Sequence, residues 1–293
     1  MAKAKKTAAK SAARPKAAAK KPAAKAPAAK KPAARKAPAA RSRKILAATP
    51  AIAKAAAKSA KRAARGARIL KGPAVAAAPA ERRPARPVLH GMWLSIPACK
   101  VGLALAMMGV DFDYRHVDLS GGAQKTAEFL ARNRFGQVPV LEHEGHHVAQ
   151  SNVILHYLAD AYDQFLGRSA AEEIRVEEWL QWDQDRMSAL AMLRSMKRFP
   201  RYKQPDDVVA FVATRAQQAL DFLDHHLGNS KFIAGPRPTV ADIAIFPTVA
   251  LADEAGIEIA RWPNVRAWAE RFLKLPGAVH PYAAMPREDR VGG

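Results

Sequence analysis

The chain has 293 residues, 48 of them Lys or Arg against 26 Asp or Glu, for a net charge of +22 and a pI near 10.4. No apolar run approaches the roughly 18 residues that a membrane span needs, and no secretory apolar segment stands near residue 1. A single cysteine, Cys99, excludes an internal disulfide and fits a reducing compartment.

The charge is not spread evenly. Residues 1–86 hold 26 Lys or Arg and one acid, Glu81, for a net +25, whereas residues 87–293 come to −3. The first stretch offers little but alanine methyls to bury before Ile45 and Leu46, so ordering it would cost entropy with no burial in return. A ten-residue unit starting at Lys20-Lys21-Pro22 recurs at Lys30-Lys31-Pro32, too short for a solenoid and too proline-rich for a long helix. The expectation is a disordered Lys/Ala/Pro-rich basic tail over 1–86. Within it, residues 51–70 predict a helix with Thr49 as cap and Pro50 at the first position. Lys54, Lys58, Lys61, Arg62 and Arg65 share one of its faces, ready to fold against a polyanion. The composition resembles the tails of linker histones and the histone-like proteins of some bacteria. That resemblance implies sequence-blind binding of DNA or another polyanion by phosphate neutralisation, since no aromatic platform and no Asn or Gln base-readers are present. An organellar transit peptide and a purely solubilising tail are the two other readings of the same residues.

After Pro84 and Pro87 aromatics appear and hydrophobic periodicity begins. Val88-Leu89-His90 predicts a strand, Pro97 to Met108 a helix closed by Gly109, and Phe112 to Val117 an alternating strand. Ala123–Arg132 suits a helix, Val138-Pro139-Val140-Leu141 a strand, and Glu144-Gly145 a hairpin turn into His147-Val148. Gln150–Ala161 returns to helix. Beyond residue 170 four helical stretches follow, at 170–197, 205–227, 240–255 and 264–274. The order is a small α/β unit over 87–163, then an all-helical one over 168–285.

Three motifs in this part carry a family resemblance: Phe135-Gly136-Gln137-Val138-Pro139-Val140-Leu141, Gln150-Ser151-Asn152-Val153-Ile154-Leu155-His156-Tyr157-Leu158, and Pro238-Thr239-Val240-Ala241-Asp242-Ile243-Ala244. Together they resemble the glutathione S-transferase superfamily over residues 87–285, bacterial and zeta-like. The resemblance implies a thioredoxin-like N-terminal subdomain with an all-α C-terminal subdomain, a two-fold homodimer, and an enzyme that activates the glutathione thiol for attack on a small electrophile. Isomerisation of the maleylacetoacetate isomerase kind is one form of that activity.

By the same resemblance, Val138-Pro139 holds a cis peptide bond that turns the Val138 backbone toward glutathione, beside Gln137. Gln150 and Ser151, at the start of a helix, hold the γ-glutamyl carboxylate. Ser95 aligns with the serine that hydrogen-bonds the glutathione sulfur, although it also reads as a plain helix cap, and Gly102 stands where the family often has Arg. Cys99 lies one turn inside the helix, a position that favours burial over catalysis. Thr239-Val240-Ala241-Asp242 reads as a capping box. His143, His146 and His147 flank a turn without zinc-site spacing, and no metal is expected. Trp179, Trp182, Arg186 and Met187 fit either an electrophile pocket or core packing.

The partners implied are glutathione, an electrophile, a second copy of the chain, and DNA or another polyanion through residues 1–86, in a cytoplasmic and nucleoid-associated setting without a membrane. The competing function is a histone-like nucleic-acid-associated protein that uses a catalytically weak transferase-like domain for dimerisation. Retention on immobilised glutathione separates the two.

Overall fold

A computed structural model describes residues 86–291. Residues 1–85 of the basic stretch, with the helix expected at 51–70, lie outside the described residues.

The α/β part reads β1 (Val88–Gly91), α1 (Ile96–Met107), β2 (Asp113–His116), α2 (Ala127–Arg132), β3 (Val140–His143), β4 (His146–Ala149) and α3 (Ser151–Tyr162). The sheet order is β2-β1-β3-β4. β1 and β2 run parallel with Leu89 opposite Tyr114, while β3 runs antiparallel to β1 and pairs in turn with antiparallel β4. This is the mixed sheet of a thioredoxin-like unit, a βαβ followed by a ββα. Parallel β1 and β2 need a crossover, which α1 supplies; β3 and β4 need only the Glu144-Gly145 turn, both residues of which have positive φ.

The helical part reads α4 (Ala170–Trp182), α5 (Ser188–Arg198), α6 (Asp206–Leu227), α7 (Val240–Ala250) and α8 (Pro263–Phe272). The single helix expected at 170–197 is two helices joined by a π-helical turn, Asp183–Met187. Its apolar spacing continues across the turn, and the one-residue insertion of a π turn leaves no mark in composition. The helix expected at 240–255 ends at Ala250, and Asp253–Ala255 forms a separate 3₁₀ turn closed by Gly256 at φ 71°. Ala123–Lys125 is likewise a 3₁₀ turn set apart from α2 by Thr126, which caps α2 by accepting from the Phe129 N–H.

α7 forms the centre. Every residue from Val240 to Val249 is buried, the pattern of a helix enclosed on all sides. Its Phe246 stacks on Phe272 at 4.4 Å and meets Trp268 edge-on, which ties α7 to α8. Its N-terminus is the expected capping box: Thr239 Oγ1 accepts from the Ala241 N–H at 3.3 Å, and Asp242 Oδ2 accepts from the Thr239 N–H at 2.9 Å. Asp242 Oδ1 further accepts from the Ile233 N–H and Trp268 Nε1, each at 2.9 Å, so one buried carboxylate joins α7, α8 and the loop before them.

The two parts share a buried polar junction. Lys100 Nζ on α1 meets Asp183 Oδ2 at 2.5 Å, and Asn152 Nδ2 on α3 donates to the same oxygen at 3.0 Å and to the Leu180 carbonyl at 2.8 Å. On the outer side of α1, Gly102 is explained by contact: a Cβ there would stand 2.5 Å from Met285 Sδ and 2.8 Å from the Ala284 carbonyl. The C-terminal segment lies directly on the helix where a longer side chain would project.

Candidate active site

Two helices begin at one cavity. α1 is capped by Ser95, whose Oγ accepts from the Ala98 N–H at 3.4 Å. Pro97, inside the first turn, has no N–H to leave unsatisfied. α3 begins at buried Ser151, preceded by Gln150 with φ 70° and ψ 114°. A non-glycine residue at positive φ costs about 1–3 kcal/mol and persists where its surroundings impose it. Here the chain passes from β4 directly into α3 at the cavity edge.

Between the helices runs the segment 133–139. Asn133 is buried at the end of α2; its Nδ2 donates to the Gln137 carbonyl at 2.7 Å and its Oδ1 accepts from the Phe135 N–H at 3.0 Å. Gly136 has φ 58°, and a Cβ on it would meet the Gln124 carbonyl at 3.0 Å, so glycine is required twice over. The Val138–Pro139 peptide is cis. β3 starts only at Val140, two residues later than the sequence pattern suggests, because proline offers no N–H to the ladder.

Ser95, Gln137, Val138, Pro139, Gln150 and Ser151 all line this one cavity, of about 500 Å³. Groups that sequence reasoning did not single out join them. Lys125 Nζ donates to the Gly136 carbonyl at 3.2 Å, and Arg201 donates to the Leu119 carbonyl at 3.4 Å while lying over the Tyr202 ring. Gln184 enters from the π-helical turn. The lining carries two cations, Lys125 and Arg201, and no carboxylate, although the part of the chain after residue 86 is net acidic. With two helix N-termini added, the cavity is an anion-binding environment.

Ser95 serves as cap and donor at once. Capping uses an oxygen lone pair, which leaves the hydroxyl proton free for a ligand. Cys99 is fully buried, donates to the Trp93 carbonyl at 3.3 Å, and is pushed up to about 12 by burial, so it stays a thiol away from the cavity. Trp179, Trp182, Arg186 and Met187 fall outside this cavity: Met187 is core, Trp179 packs on Trp182, Phe222 and His226, and Trp182 with Arg186 lines a different hollow beside Arg215. His143 is buried with its ring nitrogens hydrogen-bonded to Tyr157 and Tyr162. A more apolar cavity of about 550 Å³ lies against α7 and α8, walled by Phe246, Val249, Ile257 and Leu273, and contains none of the expected site residues.

The family profile described as "Glutathione S-transferase, N-terminal domain" matches residues 88–160, and that described as "Glutathione S-transferase, C-terminal domain" matches 206–271. Glutathione S-transferase 3 of Zea mays is 32% identical over 209 residues, covering 68% of this chain and 94% of that protein. The chain belongs to the glutathione S-transferase family. By that membership it is a glutathione transferase. Maleylacetoacetate isomerase of Dictyostelium discoideum is 25% identical over 198 residues, 64% of this chain and 90% of its own length. The crystal structure of a glutathione S-transferase from Pseudomonas fluorescens superposes with a TM-score of 0.63 at 29% identity, covering 67% of this chain and 98% of that one.

Proposed function

We propose that this glutathione transferase holds glutathione in the cavity between the N-termini of α1 and α3 and activates its thiol for attack on a small electrophile. One observation carries the reading: Ser95, Ser151 and the Val138 backbone, from three separate segments, converge on a single cavity without acidic side chains. Ser151 and the N–H groups of α3 suit the γ-glutamyl carboxylate, and Gln150 beside them its polar neighbours. Gln137 and the backbone of Val138, ahead of Pro139, suit the cysteinyl portion. Lys125 suits the second carboxylate. Ser95 then donates to the sulfur, and the positive end of α1 favours thiolate over thiol, the proton leaving to solvent. The protein's contribution is activation and placement of two reactants.

The zeta-like, isomerase-like form of this activity is supported by the resemblance to the Dictyostelium isomerase and by the basic lining, which suits an electrophile bearing a carboxylate. A homodimer is supported by Phe135, Val153 and Ile174, large apolar side chains that are 46%, 55% and 61% exposed, and by the groove of about 500 Å³ beside Val153, Tyr157 and Leu180. The division into units over 87–163 and 168–285 is supported by the confinement of strands, among the described residues, to 88–149 and by the helical run from Ala170. Residues 1–86 complete the reading as a polyanion-binding tail in a cytoplasmic protein, on charge alone: +25 with a single acid. Among the described residues no helix is long and apolar enough to cross a membrane.

The deciding experiment is retention of the full chain on immobilised glutathione with elution by free glutathione, together with the ultraviolet thiolate absorbance of the complex. Absence of both would overturn the reading. For the tail, the affinity of the full chain for duplex DNA of arbitrary sequence should fall by about three to five orders of magnitude from low to moderate salt if 6–10 cations are engaged. A salt-independent affinity removes that part of the proposal.

A further inference from the structure

A guanidinium carries five N–H donors and is costly to bury unless most of them are paired. Arg194, on α5, is 3% exposed. Its Nε donates to Glu254 Oε2 at 2.9 Å, and one terminal nitrogen donates to the Tyr282 hydroxyl oxygen at 2.6 Å. Tyr282 in turn donates to Glu254 Oε1 at 2.5 Å, which closes a ring of three side chains from three distant segments. Burial, reinforced by that hydrogen bond, pushes the Tyr282 hydroxyl up to about 12, so it remains a donor at any working pH. The other terminal nitrogen of Arg194 donates to the Leu94 carbonyl at 3.1 Å, one residue before Ser95 and 100 residues away in sequence.

The remaining backbone hydrogen bonds of the loop that carries Ser95 are local. The Ser95 N–H closes a turn on the Met92 carbonyl at 2.8 Å, and the Trp93 carbonyl accepts from the Cys99 thiol. Trp93 is braced from the same side, edge-to-face with Tyr282 at 5.4 Å and beneath the Arg287 guanidinium at 4.8 Å. Tyr282 belongs to the C-terminal segment that lies on α1, and this segment is anchored further on by paired backbone hydrogen bonds between Arg290 and Tyr114 of β2. Within this loop, among the described residues, Leu94 is the one whose carbonyl is held by a side chain of the helical part.

We infer that Arg194, braced by Glu254 and Tyr282, is a positioning residue that fixes the Ser95 hydroxyl through the Leu94 carbonyl. The inference rests on the role given to Ser95 above. It requires the C-terminal segment for full activity even though none of that segment lines the cavity. A displacement of about 1 Å at a reacting group can lower turnover by up to a hundredfold, and a group that acts through another shows non-additive effects with it.

The test is a double-mutant cycle on the full chain with glutathione and chlorodinitrobenzene. Tyr282→Phe removes one oxygen and keeps the ring. It should lower kcat roughly three- to tenfold, leave the glutathione KM within about twofold, and raise the apparent pKa of the bound thiol in the pH–rate profile. Arg194→Lys, which keeps the charge but not the fork, should lower kcat further; if it does not fold, Tyr282→Phe decides alone. In a Ser95→Ala background, Tyr282→Phe should have little further effect. Loss by the same factor in both backgrounds, or an unchanged thiol pKa in Tyr282→Phe, would overturn the positioning role while leaving Ser95 in place. Wild-type behaviour of Ser95→Ala is the separate result that would remove the role of Ser95 and, with it, this inference.

Discussion

Replacing Lys100 by Met should destabilise the fold more than removing the whole ion pair does. Lys100 and Asp183 side chains are 6% and 1% exposed, and their contact is supported on one carboxylate oxygen only, by Asn152. The second oxygen, Asp183 Oδ1, is buried without a hydrogen-bond partner among the described residues. Lys100→Met therefore leaves a buried carboxylate with one amide donor, a change that typically costs about 3–5 kcal/mol. The double variant Lys100→Met/Asp183→Leu removes both charges. Asn152 keeps the Leu180 carbonyl at 2.8 Å, so the residual cost is about 1 kcal/mol for the lost amide contact, offset in part by the desolvation no longer incurred. The expected order of stability is wild type close to the double variant, with the single variant well below both. Equilibrium urea unfolding reads this directly: with a slope of about 2 kcal/mol/M, the single variant's midpoint should fall by roughly 1.5–2.5 M. A single variant within about 1 kcal/mol of wild type, or a double variant less stable than the single, would refute the reasoning.

Further outcomes are expected. Ser151→Ala should raise the glutathione KM roughly 10- to 150-fold, the value of one hydrogen bond to a charged group, with kcat little changed; a fall in kcat at constant KM would give Ser151 a different role. Cys99 should resist iodoacetamide at neutral pH, and Cys99→Ala should retain turnover, because burial holds the thiol at about 12; stoichiometric labelling of native protein would contradict this. Burial also lowers His90, against the opposing pull of Glu142 beside it. The unfolded chain therefore takes up this proton first, and the stability it contributes is full above about pH 6.5 and is lost as pH falls toward the depressed value. The drop in urea midpoint between about pH 7.5 and pH 5.5 should be smaller in His90→Gln; an unchanged drop would assign the dependence to other groups.

Sequence alone determined what is local. The turn around Gly136 to Pro139 and the capping box Thr239–Asp242 each depend on residues within a few positions of one another. Backbone restrictions of Gly and Pro and the reach of short side chains fix such features before any tertiary contact forms. The order of elements predicted a small α/β unit followed by helices, the family resemblance carried by the motifs implied the fold, and six candidate site residues could be named by number. Tertiary structure decided which of those residues share a cavity, and it brought Lys125, Gln184 and Arg201 there, none of which belongs to the three motifs. It also decided the buried polar contacts: Lys100 with Asp183 across 83 residues, Arg194 with Leu94 across 100 and with Tyr282 across 88. Read alone, Lys100, Asp183, Arg194 and Tyr282 are ordinary charged or aromatic residues and Leu94 an ordinary loop residue. Their partners are chosen by how helices pack around α7, and a buried charge acquires its role only from the group that packing sets opposite it.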